Sequence, residues 1–289
     1  MNSTLINERD FISKLLCLAN SNPKAFCLQD DIAKISENII LNTDTTIEGI
    51  HILQGLNPKY IAYKALARSY SDILAKNGKP IGYFLNIILP KNFGKINNLI
   101  SGLQEFVSIY KMDLLGGDTS VHNASNIIIV ATILATVEKH TARAGAKLGD
   151  GIYLTKKVGS AYLGLLDCQN GNIQTQNAKE YLMPSLTDIK DYSAINASMD
   201  ISDGLLADAE KMANASKKCL VIDFNKIPFA ESNNLQNMLI FGDDYNILVT
   251  SSSPVLNAVH IGFVKEGNGL LLENFPFVLP QKGFDHFSV

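Results

Sequence analysis

The chain has 289 residues, of which 46% are hydrophobic and 18% are charged, and its net charge is −3. This length predicts two domains or one large one with well-buried cores, and the composition is typical of a soluble globular protein. The negative net charge excludes the basic footprint of a nucleic-acid-binding protein. No run approaches the ~20 consecutive apolar residues that cross a bilayer, which excludes a membrane-spanning protein.

Targeting signals and cysteine usage both indicate a cytoplasmic protein. Glu8, Arg9 and Asp10 interrupt any apolar N-terminal stretch, so no signal peptide is expected. The cysteines form no C-x-x-C pair and accompany no histidine motif, which argues against a zinc or redox site. We expect free thiols in a reducing compartment at Cys17, Cys27, Cys168 and Cys219.

In the first half, the hydrophobic pattern predicts helices in alternation with strands. The predicted helices cover residues 5–19, 59–77 and 95–111, and the predicted strands cover 39–41, 81–89 and 126–137.

A boundary is expected near residues 141–150, where the sequence is small, polar and rich in glycine. The pattern beyond it predicts strands at 152–155, 220–223 and 247–249, and helices at 160–183, with a loose polar stretch at 169–176, and at 203–215. The alternation predicts an α+β (α/β) fold with mixed sheets, divided into domains 1–140 and 141–289.

Short aspartate-centred motifs stand at the ends of apolar runs. Carboxylates crowded together repel each other unless cations neutralise them, and oxygen ligands without Cys or His suit Mg²⁺. Mg²⁺ held by only one or two carboxylates usually also holds phosphates. The pattern therefore predicts an enzyme that binds a nucleotide through several metal ions. The motifs are Asp30-Asp31, Thr43-Asp44-Thr45, Ser71-Asp72, Gly116-Gly117-Asp118-Thr119, Asp200-Ile201-Ser202-Asp203-Gly204 and Gly242-Asp243-Asp244-Tyr245.

Each glycine-bearing motif also has a plainer interpretation. The motif at 116–119 either brings backbone N–H groups to a phosphate or forms an ordinary turn. In the motif at 200–204, Ser202 or Asp203 caps the following helix, whose N-terminus is also a place for phosphate. The motif at 242–245 is either part of a site or a plain turn before a strand.

Three single residues, Arg143, His51 and Phe284, also have two interpretations, and a fourth, Asp72, has one. Arg143 either clamps a phosphate or is a solvated arginine in a linker. His51 either hydrogen-bonds a substrate or lies on the surface. Phe284 either covers a ring-bearing ligand or docks the C-terminus. Asp72 flanks an apolar helical stripe, so we expect its carboxylate at the rim of a cleft.

The common nucleotide-binding motifs and the common arrangements for nucleophilic catalysis are missing from the sequence. It contains no Walker motif, no G-x-G-x-x-G, no protein-kinase catalytic loop and no Ser-His-Asp or Cys-His arrangement. A bound nucleotide would therefore be held by a different motif.

Taken together and in this order, the motifs resemble those of the thiamine-monophosphate kinase family, part of the superfamily that includes aminoimidazole ribonucleotide synthetase. The resemblance covers nearly the whole chain. Its pieces are Asn42-Thr43-Asp44-Thr45 with Glu48-Gly49-Ile50-His51, Lys64-Ala65-Leu66-Ala67 with Ser71-Asp72, Leu115-Gly116-Gly117-Asp118-Thr119, Arg143-Ala144-Gly145-Ala146-Lys147 with Gly149-Asp150, Asp200-Ile201-Ser202-Asp203-Gly204-Leu205, Gly242-Asp243-Asp244-Tyr245 and Gly283-Phe284-Asp285-His286-Phe287.

The resemblance implies transfer of the γ-phosphate of ATP to thiamine monophosphate, which gives thiamine diphosphate. It implies a homodimer formed by the N-terminal domain, an α+β C-terminal domain, and an active site in the cleft between them. It also implies residue roles: Mg²⁺ ligands at Asp31, Asn42, Thr43, Asp44, Asp72, Asp118, Asp200 and Asp203; ATP contacts at Tyr110, Gly117, Asp118, Arg143 and Ser202; and substrate contacts at His51, Asp243 and Phe284.

The chemistry of this reaction needs no catalytic side chain. Phosphoryl transfer depends on positioning and on neutralised charge more than on covalent chemistry. Bridging Mg²⁺ ions let an anionic acceptor approach the γ-phosphate in line, and a phosphate acceptor is already ionised near neutral pH. We therefore expect direct transfer without a phospho-enzyme.

Some positions depart from the family pattern and leave alternatives open. Gln29 stands for Gly, Asn42 for Ser and Asp243 for Glu, and residues 183–187 replace an Arg-Pro-x-Pro-Arg stretch. One alternative is a related ATP-dependent synthetase. The other is a degenerate protein that binds thiamine phosphates or ATP without turnover.

Overall fold

The structure is a computed structural model that describes residues 8–19, 22–278 and 283–284. Two mixed β-sheets, each covered by helices, make up the described chain. The strands of the first sheet lie within residues 33–136, and those of the second within residues 151–273. This is the mixed α/β architecture that the alternating sequence pattern predicts.

The first sheet has five strands in the order β1-β2-β5-β3-β4. Only the β3–β4 pair is parallel. Its strands are β1 (Ala33–Lys34), β2 (Ile39–Ile47), β3 (Lys79–Pro90), β4 (Leu114–His122) and β5 (Ile128–Thr136), and the helices of this half are α1 (Glu8–Leu15), α2 (Pro58–Ala75) and α3 (Ile96–Tyr110). Short 3-10 helices cover Leu16–Ala19 and Pro23–Leu28.

The second sheet has six strands in the order β11-β8-β10-β6-β9-β7. Only the β11–β8 pair is parallel. Its strands are β6 (Gly151–Leu154), β7 (Ile195–Asp200), β8 (Cys219–Asp223), β9 (Ile247–Ser251), β10 (Val259–Lys265) and β11 (Gly269–Glu273), and its helices are α4 (Ser160–Gln169), α5 (Gln176–Leu182), α6 (Leu205–Ser216) and α7 (Leu235–Ile240). A 3-10 helix covers Phe224–Lys226.

Helix α2 is the central element of the molecule. Its residues are buried on nearly every side, because it packs against β2 and β5, against α3, and against β7 and α5 of the other half. One hydrophobic core therefore runs through residues of both halves, including Leu66 of α2 and Val249 of β9. The hydroxyl of Tyr192 donates to the carbonyl of Leu74 at 2.7 Å across the same contact. The cleft between the halves is consequently built around one helix.

Several expectations from the sequence differ from the structure. The helix predicted at 5–19 is α-helical only over Glu8–Leu15 and continues as a 3-10 helix, and residues 5–7 lie outside the described chain. The turn interpretation of residues 116–119 is wrong, since they lie within strand β4. The pattern also missed strands β1, β4, β7, β10 and β11 and helix α7. Among the helices of the described chain, none is long and apolar enough to cross a bilayer.

Candidate active site

Three carboxylates from distant parts of the chain meet at one end of helix α2. Asp31 precedes β1, Asp72 lies on α2 and Asp200 ends β7. One oxygen of each lies within 4.8 Å of the others. The two halves therefore contribute to one acidic cluster, because β7 of the second half packs against α2.

The protonation of this cluster fits a cation site. Burial, together with the carboxylates of Asp200, Asp31 and Asp44, raises the pKa of Asp72. Burial and then the charge of Asp31 raise the pKa of Asp200 to about 7. Without a cation, Asp72 and Asp200 thus hold protons more readily than ordinary carboxyls, and a bound divalent ion would replace those protons. An all-oxygen donor set of this kind suits Mg²⁺.

Two basic side chains neutralise Asp31. Nζ of the buried Lys76 lies 2.6 Å from Asp31 Oδ2 and 2.8 Å from Asp30 Oδ1. The guanidinium of Arg143 pairs with Asp31 Oδ1. Although burial raises the pKa of Asp31, Arg143 and Lys76 hold that pKa below its usual range. The interpretation of Arg143 as a solvated linker residue is wrong, because its side chain is only 15% exposed.

Asn42 is placed beside the cluster as a hydrogen-bond donor. Its Nδ2 donates to Asp72 Oδ2 at 2.7 Å and to the carbonyl of Asp31 at 2.9 Å. Its amide oxygen, which a metal ligand would use, instead accepts from the Ser69 hydroxyl at 2.5 Å. The structure therefore gives Asn42 an orienting contact with Asp72, and its role as a metal ligand stays a prediction.

Thr43 and Asp44 point to opposite faces of the first sheet, since successive strand residues alternate. The Thr43 hydroxyl shares a 2.8 Å hydrogen bond with that of Thr132. Asp44 is on the face that packs on α2, where its Oδ1 lies 3.7 Å from the guanidinium of Arg68. Only Asp44 of this pair directs its side chain toward the cleft.

Asp118 stands apart from the acidic cluster within one chain. Its register places it level with Asn86 on β3, Val130 on β5 and Thr45 on β2. Three strand spacings of ~4.8 Å separate β2 from β4, roughly 14 Å in all. Thr45 and Asp118 share the face opposite Asp44, so Asp118 does not meet the other acids within one chain, and its role as a metal and ATP ligand stays a prediction. Gly117 lies on the same exposed edge strand.

The loop between β7 and α6 is held by acids and bases that the sequence did not single out. Asp208 Oδ2 accepts the N–H groups of Ser202 and Asp203, each at 2.9 Å. Asp203 pairs through its own carboxylate with Lys211. The cap residue of α6 is Gly204, so the prediction that Ser202 or Asp203 caps this helix is wrong.

The segment 242–245 is not a plain turn. Its Gly242 packs so closely on the loop at 200–204 that an added Cβ would lie 1.8 Å from the carbonyl oxygen of Ser202. Asp243 Oδ2 lies 2.8 Å from Nζ of the buried Lys64, and its Oδ1 accepts from the Tyr245 hydroxyl at 2.5 Å. Burial raises the pKa of Asp243, but Lys64 and Arg68 outweigh it and lower that pKa.

Arg68 lies between Asp44, a predicted metal ligand, and Asp243, a predicted substrate contact. Its guanidinium lies 3.7 Å from Asp44 Oδ1 and 3.7 Å from Asp243 Oδ1. Arg68 and Lys64 are functional candidates that the sequence reasoning missed. The available signal was spacing: Lys64, Arg68, Asp72 and Lys76 follow each other at four-residue intervals, which places them along one side of a helix.

The remaining predicted residues are placed as follows. His51 is only 8% exposed and its Nδ1 accepts a hydrogen bond from the N–H of Ile47, so the surface interpretation is wrong.

The N–H of Phe284 donates to the carbonyl of Asp203 at 3.0 Å, which brings residue 284 to the loop between β7 and α6. Asp285, His286 and Phe287 lie outside the described residues. The Tyr110 hydroxyl accepts from the Leu186 N–H and its ring packs on Phe106, which are packing contacts.

Comparison with known proteins identifies the relatives of this chain. The family model "AIR synthase related protein, N-terminal domain" matches residues 29–137. The thiamine-monophosphate kinase of Buchnera aphidicola subsp. Acyrthosiphon pisum is 30% identical over 90% of this chain and 91% of its own length. That of Aquifex aeolicus is 27% identical over 94% of this chain and 97% of its own length.

The fold has a close counterpart among solved structures. A structure described as AaThiL complexed with AMPPCP and TMP has a TM-score of 0.87 with this chain at 26% identity, and the match covers 99% of both. The chain therefore belongs to the thiamine-monophosphate kinase family.

Proposed function

We propose that this protein phosphorylates thiamine monophosphate with ATP and releases thiamine diphosphate. The observation that carries the proposal is the meeting of Asp31, Asp72 and Asp200 within 4.8 Å, contributed by both halves of the chain. The chain also matches, over nearly its full length, a structure that holds AMPPCP and TMP, and this match supports the same substrates for this chain.

The acidic cluster is the proposed Mg²⁺ site. Its three carboxylates are hard oxygen donors, and the raised pKa values of Asp72 and Asp200 indicate charge that a cation would neutralise. When bound, Mg²⁺ supplies the positive charge that lets two anionic phosphates come together. Asp44 and Asp203 are further ligand candidates on the same cleft.

The chain itself supplies positioning and charge. We propose that Arg143, which pairs with Asp31 in the structure, contacts the phosphates of ATP, and that the loop at 200–204 lies beside them. The acceptor phosphate needs no general base, because its second pKa of about 6 leaves it ionised at neutral pH. The transfer is direct. Rapid-quench single turnover with γ-labelled ATP should yield labelled product and no labelled protein.

The proposed enzyme is a homodimer with domains 1–140 and 141–289. Strand β4 is an edge strand and carries large exposed apolar side chains, among them Leu114 at 59% and Val121 at 68% exposure. Phe84 on the neighbouring strand β3 and Leu115 on β4 are exposed apolar side chains at the same edge of the sheet. A second copy would cover it, and Asp118 and Gly117 on β4 would then contribute to the cleft of the other subunit.

A product assay tests the proposed activity. The purified protein is incubated with ATP, Mg²⁺ and thiamine monophosphate, and thiamine diphosphate is measured. Asp72→Asn should abolish product, whereas the control Asp188→Asn, on the surface beside Lys190, should retain it. Binding without product would favour the degenerate binding protein. Neither binding nor product would favour the related synthetase.

A further inference from the structure

Among the residues that the structure describes, the guanidinium of Arg68 finds no hydrogen-bond acceptor. Its side chain is 13% exposed, and its two carboxylate neighbours, Asp44 and Asp243, both lie 3.7 Å away. That separation exceeds the range of an N–H···O hydrogen bond, ~2.7–3.2 Å. Nε is buried and has no acceptor among the described residues. The two terminal nitrogens of the planar fork are thus each directed toward a different acid, Asp44 or Asp243, without a hydrogen bond to either.

One of the two neighbouring acids, Asp243, has closer partners than Arg68. Asp243 already accepts from Lys64 at 2.8 Å and from the Tyr245 hydroxyl at 2.5 Å. A buried cation with unused donors costs free energy that an oxyanion ligand would recover. The guanidinium fork matches phosphate oxygens in a bidentate arrangement, which a lysine ammonium does not.

The position of Arg68 indicates which phosphate it would meet. It lies one helical turn before Asp72 of the acidic cluster and beside the segment 242–245, where the substrate is expected. Arg143, by contrast, pairs with Asp31 at the other side of the cluster. The two arginines of the cleft are therefore placed for two different phosphate groups.

We propose that Arg68 binds the phosphate group of the acceptor, between Asp44 and Asp243, and so aligns it for transfer. This inference rests on the proposed function, since it takes thiamine monophosphate as the acceptor. The competing interpretation is that Arg68 only neutralises the two carboxylates and touches no ligand.

A comparison of two ligands, one with and one without the phosphate group, distinguishes these interpretations. Binding of thiamine monophosphate and of thiamine is measured by calorimetry with Mg²⁺ and without ATP, for wild type and for Arg68→Met, which keeps the length but removes the charge and the donors. We expect the affinity for thiamine monophosphate to fall by about tenfold or more, the loss of one charge-assisted bidentate contact. Affinity for thiamine, which lacks the phosphate, should stay within about twofold, below the size of one such contact.

Kinetics and stability complete the test. In Arg68→Met the KM for thiamine monophosphate should rise by about tenfold while the KM for ATP changes by less than about twofold, since only the acceptor loses a contact. Arg68→Lys should restore part of the affinity. The control Lys79→Met removes a charge that is 74% exposed and should match wild type in every measurement.

The results that test the role of Arg68 can be told apart from the results that test the kinase activity. Wild-type affinity for thiamine monophosphate in Arg68→Met, or an equal loss for thiamine, would overturn the role of Arg68 even if product forms. A wild-type protein that binds thiamine monophosphate but makes no product would overturn the kinase activity, and the binding comparison would still decide on Arg68. Failure of wild type to bind it at all would overturn both.

Discussion

The side-chain amide of Asn42 donates a 2.7 Å hydrogen bond to Asp72 across the contact between strand β2 and helix α2. The same group donates to the carbonyl of Asp31, and its oxygen accepts from Ser69. Asn42 is therefore a neutral residue with both amide hydrogens in use, set among carboxylates that repel one another. Its neutrality limits the charge that a cation must balance.

Adding a charge at this position should destabilise the metal-free protein. We expect Asn42→Asp to lower the free energy of unfolding by about 1–3 kcal/mol, because a buried donor is lost and Asp72 gains a like charge. Saturating Mg²⁺ should restore much of the loss, since the ion binds the folded state. Urea unfolding with and without Mg²⁺ checks this. An equal loss at both conditions would contradict a cation site at the cluster.

Mg²⁺ binding should strengthen as pH rises from 6 to 8. The pKa of Asp200 is raised to about 7, so its carboxyl is mostly protonated below that value and must lose the proton to bind a cation. One such group predicts an increase in affinity of roughly tenfold over this range, and Asp72 adds to it. Calorimetric titration at both pH values gives the affinity, and different buffers give the proton release.

Asp200→Asn is the control for this pH dependence. It removes the titrating carboxyl, so the remaining affinity should vary less between pH 6 and pH 8. Identical Mg²⁺ affinity of the wild-type protein at the two pH values would contradict the prediction.

Asp244 anchors the start of helix α4 to the segment 242–245. Its two oxygens accept the N–H groups of Gly159 at 2.6 Å and Ala161 at 3.1 Å. Asp244→Ala leaves both buried donors unpaired, so we expect a loss of about 1–3 kcal/mol in the free energy of unfolding. Asp244→Asn keeps one acceptor and should lose less. The comparison is made by chemical denaturation, and equal stability of all three proteins would show that the contact is dispensable.

The proposed dimer predicts a specific effect of charge on the exposed apolar surface. Leu115→Glu should convert a particle with the mass of two chains into one of 31.6 kDa, measured by light scattering. It should also lose activity, because Asp118 would no longer reach a second cleft. Leu256→Glu, at an 81% exposed position in the second half, is the matched control. A monomeric but fully active Leu115→Glu would contradict the role given to Asp118.

Local sequence patterns were sufficient for the long elements but not for the edges of the sheets. Helix α2 and strand β5 follow clear apolar periodicity, and both were predicted to within a few residues. Strand β4 was missed because Gly116 and Gly117 favour a turn, whereas pairing with β3 holds them in a strand.

The meeting of Asp31, Asp72 and Asp200 is a property of the long-range fold, and only the resemblance to a family anticipated it. Asp118 could not be placed without the strand order, since its distance and its face follow from the register of four strands. The basic residues Lys64, Arg68 and Lys76 were overlooked because an isolated lysine or arginine on a helix usually lies in solvent. Their common spacing with Asp72 was the usable signal.

Helix α2 carries this row of charged groups on a rod that is enclosed on its other sides. Four residues of α-helix advance ~6 Å along its axis, so the guanidinium-bearing and carboxylate-bearing positions are separated by a constant interval. This interval depends on helix geometry and on no loop of the second half. Helix α2 therefore fixes the spacing at which its charged side chains are presented to the cleft.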